Sequence, residues 1–315
     1  MPHPAPAHRS FVDRSSLYQE ITDKIIRELE QGRVPWVQPW ANTAAPLGLP
    51  KNAATGRAYS GVNIVLLWMA CMERGFTTQT WLTYRQAAKI GAHVRKGEKG
   101  TTVVYADRFI PWRERQRAAE TGDQPDAIPF LKRFTVFNTD QCEDLPADLA
   151  PAPQPPADHL ILSQADALIR ATGADIRIGG NKAFYVPSAD YIQMPPPSAF
   201  FELIDWHRTV LHELVHYSGP RLNRDLSGAF GSSAYAFEEI IAEIGSAFLC
   251  AALSIVPTVR HADYIAHWAE VLREENRAII RAASAASKAA DYLLAFRGAG
   301  AAADPEIPEE ISEAA

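Results

Sequence analysis

Cysteine is scarce in this chain. Cys71, Cys142 and Cys250 lie far apart and form no Cys-x-x-Cys pair. That spacing argues against a cysteine-built zinc site and a disulfide framework, and it fits a reducing compartment. Long apolar runs are also missing: no stretch reaches the roughly 20 residues that a membrane-spanning helix needs. The opening segment MPHPAPAHRS lacks the apolar core of a secretory signal. The expectation is a cytoplasmic protein with no membrane partner. Signatures of RRM, KH and zinc-finger modules are absent as well, so sequence-specific reading of bases is not indicated. No internal repeat is found.

What is present is enough to build a core. The chain has 315 residues, of which 47% are hydrophobic, 10% aromatic and 22% charged. That composition suits two ordinary domains or one large one. The net charge of −6 hides an asymmetry. Residues 1–150 hold 19 Lys+Arg and 16 Asp+Glu, whereas residues 151–315 hold 12 and 21. The window 33–117 holds 13 basic and 4 acidic residues. A positive region inside an acidic protein is a candidate polyanion site.

Periodicity organises the chain. Leu17, Ile21, Ile25 and Leu29 share one face and predict an amphipathic helix. NIVLLWMACMERG reads as a buried helix ended by Gly75, and TWLTYRQAAKIG as another ended by Gly91. The turn VRKGEKG precedes the strand TTVVYADRFI, which pairs with LKRFTVFN across a polar loop at 113–128. LPADLAPAPQPPADH is rich in Pro and Ala and reads as a stiff linker. Beyond it come a helix in HLILSQADALIRATG, short strands in ADIRIGG and KAFYVP, and three long helical segments from Phe200 onward. The expected organisation is a disordered tail at 1–12, a domain at 13–145, a linker at 146–158, a domain at 159–298 and a flexible tail at 299–315. The fold class is α+β, with the second domain mainly helical beside a small sheet.

The sharpest chemical signal is VLHELVHYSG. In His-Glu-x-x-His on a helix, His212 and His216 lie one turn apart on one face and can reach one ion. Zinc accepts such imidazole nitrogens, and catalytic zinc takes three protein ligands while keeping a position open. Glu213, beside the first ligand, is the candidate general base. The third ligand is sought in YAFEEIIAE, where Glu239 and Glu243 are again one turn apart. Glu239 is assigned to the metal. Glu243 is assigned to the far nitrogen of a ligand histidine, the hydrogen-bond partner such ligands need. Glu238 on the metal is the alternative. A solvated charged face is the bland reading, but the apolar flanks put the motif on a mostly buried helix.

The basic half is also aromatic. Trp36, Trp40, Trp68, Trp81 and Trp112, with Tyr59, Tyr84 and Tyr105, alternate with Arg33, Lys51, Arg57, Arg85, Arg95, Lys96 and Lys99. Single-stranded nucleic acid needs cations for phosphates and flat rings for bases. Trp68 sits in an apolar helical run and reads as core. Trp36 and Trp40 flank prolines in a polar loop, where exposure is expected. The bland reading of the cations is a solvated surface.

HELVHYSGPRLNRDLSGAFGSSAYAFEEIIAE resembles the C-terminal metallopeptidase domain of ArdC-type antirestriction proteins. PWVQPW, PKNAATGRAYSGVN, WLTYRQAAKIGAHVRKGEKG and VFNTDQ resemble that family's N-terminal domain, which is shared with plasmid TraC-type primases. The resemblance runs from about Leu17 to Phe296, and RERQRAAETGDQ matches none of its motifs. It implies a domain that binds single-stranded DNA, a gluzincin-like zinc domain holding one Zn2+, and protection of incoming DNA from restriction. The candidate DNA-binding residues are Arg33, Trp36, Trp40, Lys51, Arg57, Tyr59, Asn63, Trp81, Tyr84, Arg95, Lys96 and Lys99. Three functions stay open: a DNA-binding shield with structural zinc, a metallopeptidase brought to an unidentified protein substrate by DNA, and a cytosolic peptidase with an incidental basic surface.

Overall fold

The computed structural model describes residues 12–37, 47–149, 158–259 and 265–299. Of the expected tails, all but Val12 and Ala299 lie outside the described residues, as do most of the linker and Trp40. Helix α1 (Val12–Glu30) buries Leu17, Ile21, Ile25 and Leu29, the stripe its periodicity marks. Strand β1 (Lys51–Asn52) precedes α2 (Val62–Arg74), which is apolar nearly all round and accordingly buried. The predicted helix at 80–91 is shorter. Thr80–Leu82 form β2, and α3 (Tyr84–Lys89) starts where Thr83 and Gln86 make a reciprocal capping box.

β3 (His93–Val94) is followed by the long hairpin of β4 (Thr101–Phe109) and β5 (Ile128–Asn138). Its antiparallel register runs from Thr101 opposite Val136 to Phe109 opposite Ile128. The order β1-β2-β5-β4 makes one sheet, and β6 (Cys142–Glu143) pairs with β3. The polar stretch at the hairpin's tip is not the expected loop: Trp112–Thr121 form α4, with no buried residue. Arg117 pairs with Glu114 and Gln116 with Glu120, at helical spacings. A helix held by its own surface pairs shows no apolar periodicity, so the pattern could not reveal it.

The second half starts with α5 (Asp158–Ala171) and a sheet of β7 (Asp175–Ile178), β8 (Phe184–Val186) and β9 (Tyr191–Met194). β9 is central and buries Ile192 and Met194, and β8 is an edge. Then come α6 (Leu203–Arg221) and α7 (Ser233–Ala252). The last predicted helical segment is broken into α8 (Ile265–Glu274) and α9 (Ala278–Leu294), followed by the short α10 (Phe296–Ala299). The break is held from α1: Thr22 donates to the Asn276 carbonyl at 2.8 Å. It lets α8 pack on α1 while α9 packs on α7.

The two halves are fused rather than tethered. One continuous apolar core includes α1 and α2 together with α6, α7, α8 and α9. Trp36 meets Trp268 at 6.0 Å between ring centroids, and Trp68 meets Phe248 edge-on at 5.6 Å. Glu30 and Arg273 form an ion pair across the same seam at 2.6 Å. The three cysteines are buried free thiols, and burial pushes those of Cys71 and Cys250 up to about 12. Trp268→Ala should cost about 3–5 kcal/mol, the usual loss for a buried tryptophan. Because the core is shared, thermal unfolding should remain one transition shifted downward. Two separated transitions in calorimetry would contradict a shared core.

Candidate metal centre

The site is made by α6 and α7 lying against each other. His212 and His216 stand one turn apart on α6, with ring centroids 5.0 Å from each other. α7 brings Glu239 opposite them. The helices approach closely beside these groups because Gly245 has no side chain: a Cβ there would meet both Val215 methyls at 3.0 Å.

The ring nitrogens and the carboxylate converge. His212 Nε2 is 3.5 Å from Glu239 Oε2, and His216 Nε2 is 3.6 Å from Glu239 Oε1. Ligand atoms held about 2.0–2.1 Å from one zinc ion at tetrahedral angles lie roughly 3.4 Å apart. The three groups therefore fit a single ion, and their candidate ligand atoms lie within 4.8 Å of one another. All three are buried. A buried cation would offset the cost of holding a carboxylate out of water. Glu213 is also buried, at 4% exposure, and it lines the same cleft as the ligands.

The far side of His216 is fixed by a carboxylate that is itself fixed. His216 Nδ1 is 3.1 Å from Glu238 Oε1. The Arg224 guanidinium donates to both Glu238 oxygens, at 3.2 and 3.0 Å, and to the Val215 carbonyl at 2.6 Å. Arg224 comes from the segment after α6, which folds back tightly: a Cβ on Gly219 would sit 2.5 Å from Leu226 Cδ1. Burial lowers the His216 pKa, but the Glu238 hydrogen bond and the charges of Glu239, Glu238 and Glu213 outweigh it and raise the value to about 9. Glu238 thus stands behind His216, on the nitrogen turned away from Glu239. Glu243 lies on the expected side of His212, but its Oε1 is 4.0 Å from Nδ1, beyond hydrogen-bond reach.

The cleft over these groups has a volume of about 200 Å³. Edge strand β8 contributes Phe184 and Tyr185 to its wall, and α7 contributes Tyr235. Tyr185 donates to Asp190, which accepts a fork from Arg221 at the end of α6. That chain ties the small sheet to the helix bearing the histidines.

The expected DNA-binding residues fall into two groups. Lys51, Arg57, Tyr84, Arg95, Lys96 and Lys99 are exposed, and Asn52 joins the 51–57 turn to α3 by a 3.0 Å bond to Gln86. Arg95 is paired with Glu98 at 2.8 Å. Arg33 is exposed but forks onto Glu28, holding that carboxyl below its usual range. In the other group the two tryptophans are a correction. Trp36 and Trp81 are fully buried, so neither offers a ring face to a base. Trp36 packs on Trp268 in the shared core, and Trp81 packs edge-on against Phe76. Tyr59 is half-buried against two core clusters. Asn63 serves the fold: it accepts from the Val104 amide and donates to the Val104 carbonyl, both at 2.8 Å.

Comparison with known proteins bears on the whole chain. The family described as zincin-like metallopeptidase matches residues 163–285, and the N-terminal domain of anti-restriction factor ArdC matches residues 15–137. The solved antirestriction ArdC protein from the R388 plasmid, in metal-free form, superposes with a TM-score of 0.74 at 39% identity. That match covers 90% of this chain and 98% of the R388 protein. This chain belongs to the ArdC antirestriction family.

The Mn(II)-bound form of the R388 ArdC gives a TM-score of 0.73 at 38% identity, over 89% of this chain and 98% of that one. The uncharacterized protein y4eC of Sinorhizobium fredii (strain NBRC 101917 / NGR234) is 39% identical over 288 residues, 89% of this chain and 92% of its own length. Two DNA primases TraC of Escherichia coli are 34% and 36% identical over 90% of this chain, which spans 27% and 20% of their lengths.

In this ArdC-family chain the residue that sequence reasoning missed is Arg224. It lies in an irregular segment 14 positions from its partner Glu238, where no helical or strand period links them. Arg224→Ala should lower divalent-metal affinity about 10–100-fold, the usual effect of losing a group that orients a metal ligand. Arg224→Lys should recover part of it. Competition titration against a chelator checks both. Unchanged affinity in Arg224→Ala would show that His216 needs no such support.

Proposed function

We propose that this protein binds single-stranded DNA through its N-terminal half, hydrolyses peptide bonds at the α6–α7 site, and protects incoming DNA from restriction. The observation that carries the reading is the convergence of His212, His216 and Glu239 beside Glu213, in a chain of the ArdC family. A zinc ion would be held by those three ligands. When bound it would supply Lewis acidity, polarising a carbonyl and acidifying water. Glu213 would receive the proton from the attacking water and return it to the leaving amine. Arg224 and Glu238 would keep the His216 ring aimed at the ion. An extended peptide would add to the edge of β8, using its main-chain groups for alignment and the cleft for one side chain.

Manganese is the second reading for the ion. A relative has been solved with Mn(II), and two imidazoles with a carboxylate suit it as well as zinc. Elemental analysis of protein purified without added metal would separate the two.

Glu213→Gln should leave metal content intact and abolish hydrolysis of an unfolded protein substrate. If DNA protection survives in that variant, the protein shields DNA without cutting peptide bonds. If protection is lost while DNA binding persists, hydrolysis is part of the function. Binding of labelled oligonucleotides should favour single strands and fall with salt by about 0.7 log units per log unit for each neutralised phosphate. Lys96→Ala with Lys99→Ala should flatten that slope by roughly 1–1.5 units. A preference for duplex in the same anisotropy titration would refute the assignment to single strands.

A further inference from the structure

We propose that the outer face of the β4–β5 hairpin is the base-stacking platform for single-stranded DNA, with Tyr105, Phe109 and Phe134 as its rings and Lys132 as its phosphate contact. The proposal rests on the single-stranded-DNA reading above and names the surface that carries it.

The register decides which side chains share that face. Val103 stands opposite Phe134, Tyr105 opposite Lys132, Asp107 opposite Phe130 and Phe109 opposite Ile128. Directly opposed residues point the same way, and alternate residues of one strand do too. The reverse face is occupied. Val104 and Leu131 are buried in the shared core, and Arg133 pairs with Glu20 of α1. On the outer face beyond Val103, Phe130 and Asp107 line a groove shared with Leu222, Ile280 and Lys288, but among the described residues three rings stay open to solvent: Tyr105 is 52% exposed, Phe109 56% and Phe134 40%. Rings gathered on one solvent face are unusual without a partner.

Cations bracket the rings. Lys132 Nζ stands 5.1 Å from the Phe134 ring centroid. Lys96 and Lys99 lie in the turn that leads into Thr101, at the root of the hairpin. Trp112, 72% exposed, opens α4 at the tip, where Arg113 and Arg115 follow. Asp107, the carboxylate among the paired residues of this face, is engaged by the Tyr105 hydroxyl at 3.0 Å. The result is a track of cation, ring and cation along a nine-residue strand, roughly 30 Å long at about 3.3 Å per residue.

The occupant that fits is a strand with a charged backbone and free base faces. Duplex DNA hides its base faces from such rings. At the root of the hairpin's outer edge Asn63 takes the Val104 amide and carbonyl, so an added strand of a second copy could not pair there.

The test uses the full chain and fluorescein-labelled oligothymidylate, with a duplex of equal length as control. Tyr105→Ala and Phe109→Ala should each weaken single-strand binding roughly 5- to 100-fold, since every stacked base contributes separately. The salt slope should stay unchanged in both, and Phe109→Trp should restore affinity. Lys132→Ala should instead flatten the slope by about 0.7. Photo-crosslinking of the unaltered chain to a strand carrying 5-bromodeoxyuridine should label residues 103–112 and 128–134, and it decides the matter should a variant fail to fold. Wild-type affinity in both alanine variants, or crosslinks only elsewhere, overturns the platform while single-strand binding itself stands. A wild-type dimer that Phe109→Ala converts to monomer assigns the face to a second copy and also overturns it. No single-strand binding by the wild-type chain removes both this proposal and the reading beneath it.

Discussion

The contact on which the site depends is the close packing of α6 against α7 where Gly245 faces Val215. Val215 precedes His216 in sequence, and Gly245 follows Glu243 by two residues. A close approach of the helix pair therefore lies beside the groups that converge. A side chain at Gly245 would force Val215 to give by a few tenths of an ångström. Metal ligands tolerate little more, since bond lengths to an ion vary by only about 0.2 Å. The apolar flanks of both helices supply the attraction, and the missing side chain sets the distance.

Burying several ionisable groups between two helices is costly unless each has a partner. The structure meets that cost with a chain of contacts. Arg224 holds Glu238, Glu238 holds His216, and Glu239 faces both imidazoles. Arg224 also binds the Val215 carbonyl, so the segment after α6 is fastened to the helix it has just left. The rigidity needed to orient a metal ligand comes from this network.

The shared core has a second consequence. Trp36 and Trp68 are used to join the halves, through Trp268 and Phe248. Aromatic area is the most effective material for such a seam, because each ring buries a large apolar surface. Exposed rings are left on the β4–β5 arm, which extends beyond the core.

The amino-acid sequence by itself determined the elements and the chemistry that local pattern encodes. Periodicity marked α1 and α2 and the pairing of β4 with β5, and the one-turn spacing of His212 and His216 marked a metal-binding helix. These features depend on neighbours within a few residues, so they can be read along the chain. It did not reveal α4, whose stabilising pairs leave no apolar stripe, nor the central strand β9. Tertiary structure alone decided which glutamate faces the histidines and which stands behind them. Glu238 and Glu239 are adjacent in sequence but about 100° apart around the helix, and only the placement of α6 and the reach of Arg224 distinguish them. It also decided which aromatic residues are exposed, because a ring beside a proline and a cation looks alike on paper whether it faces water or Trp268.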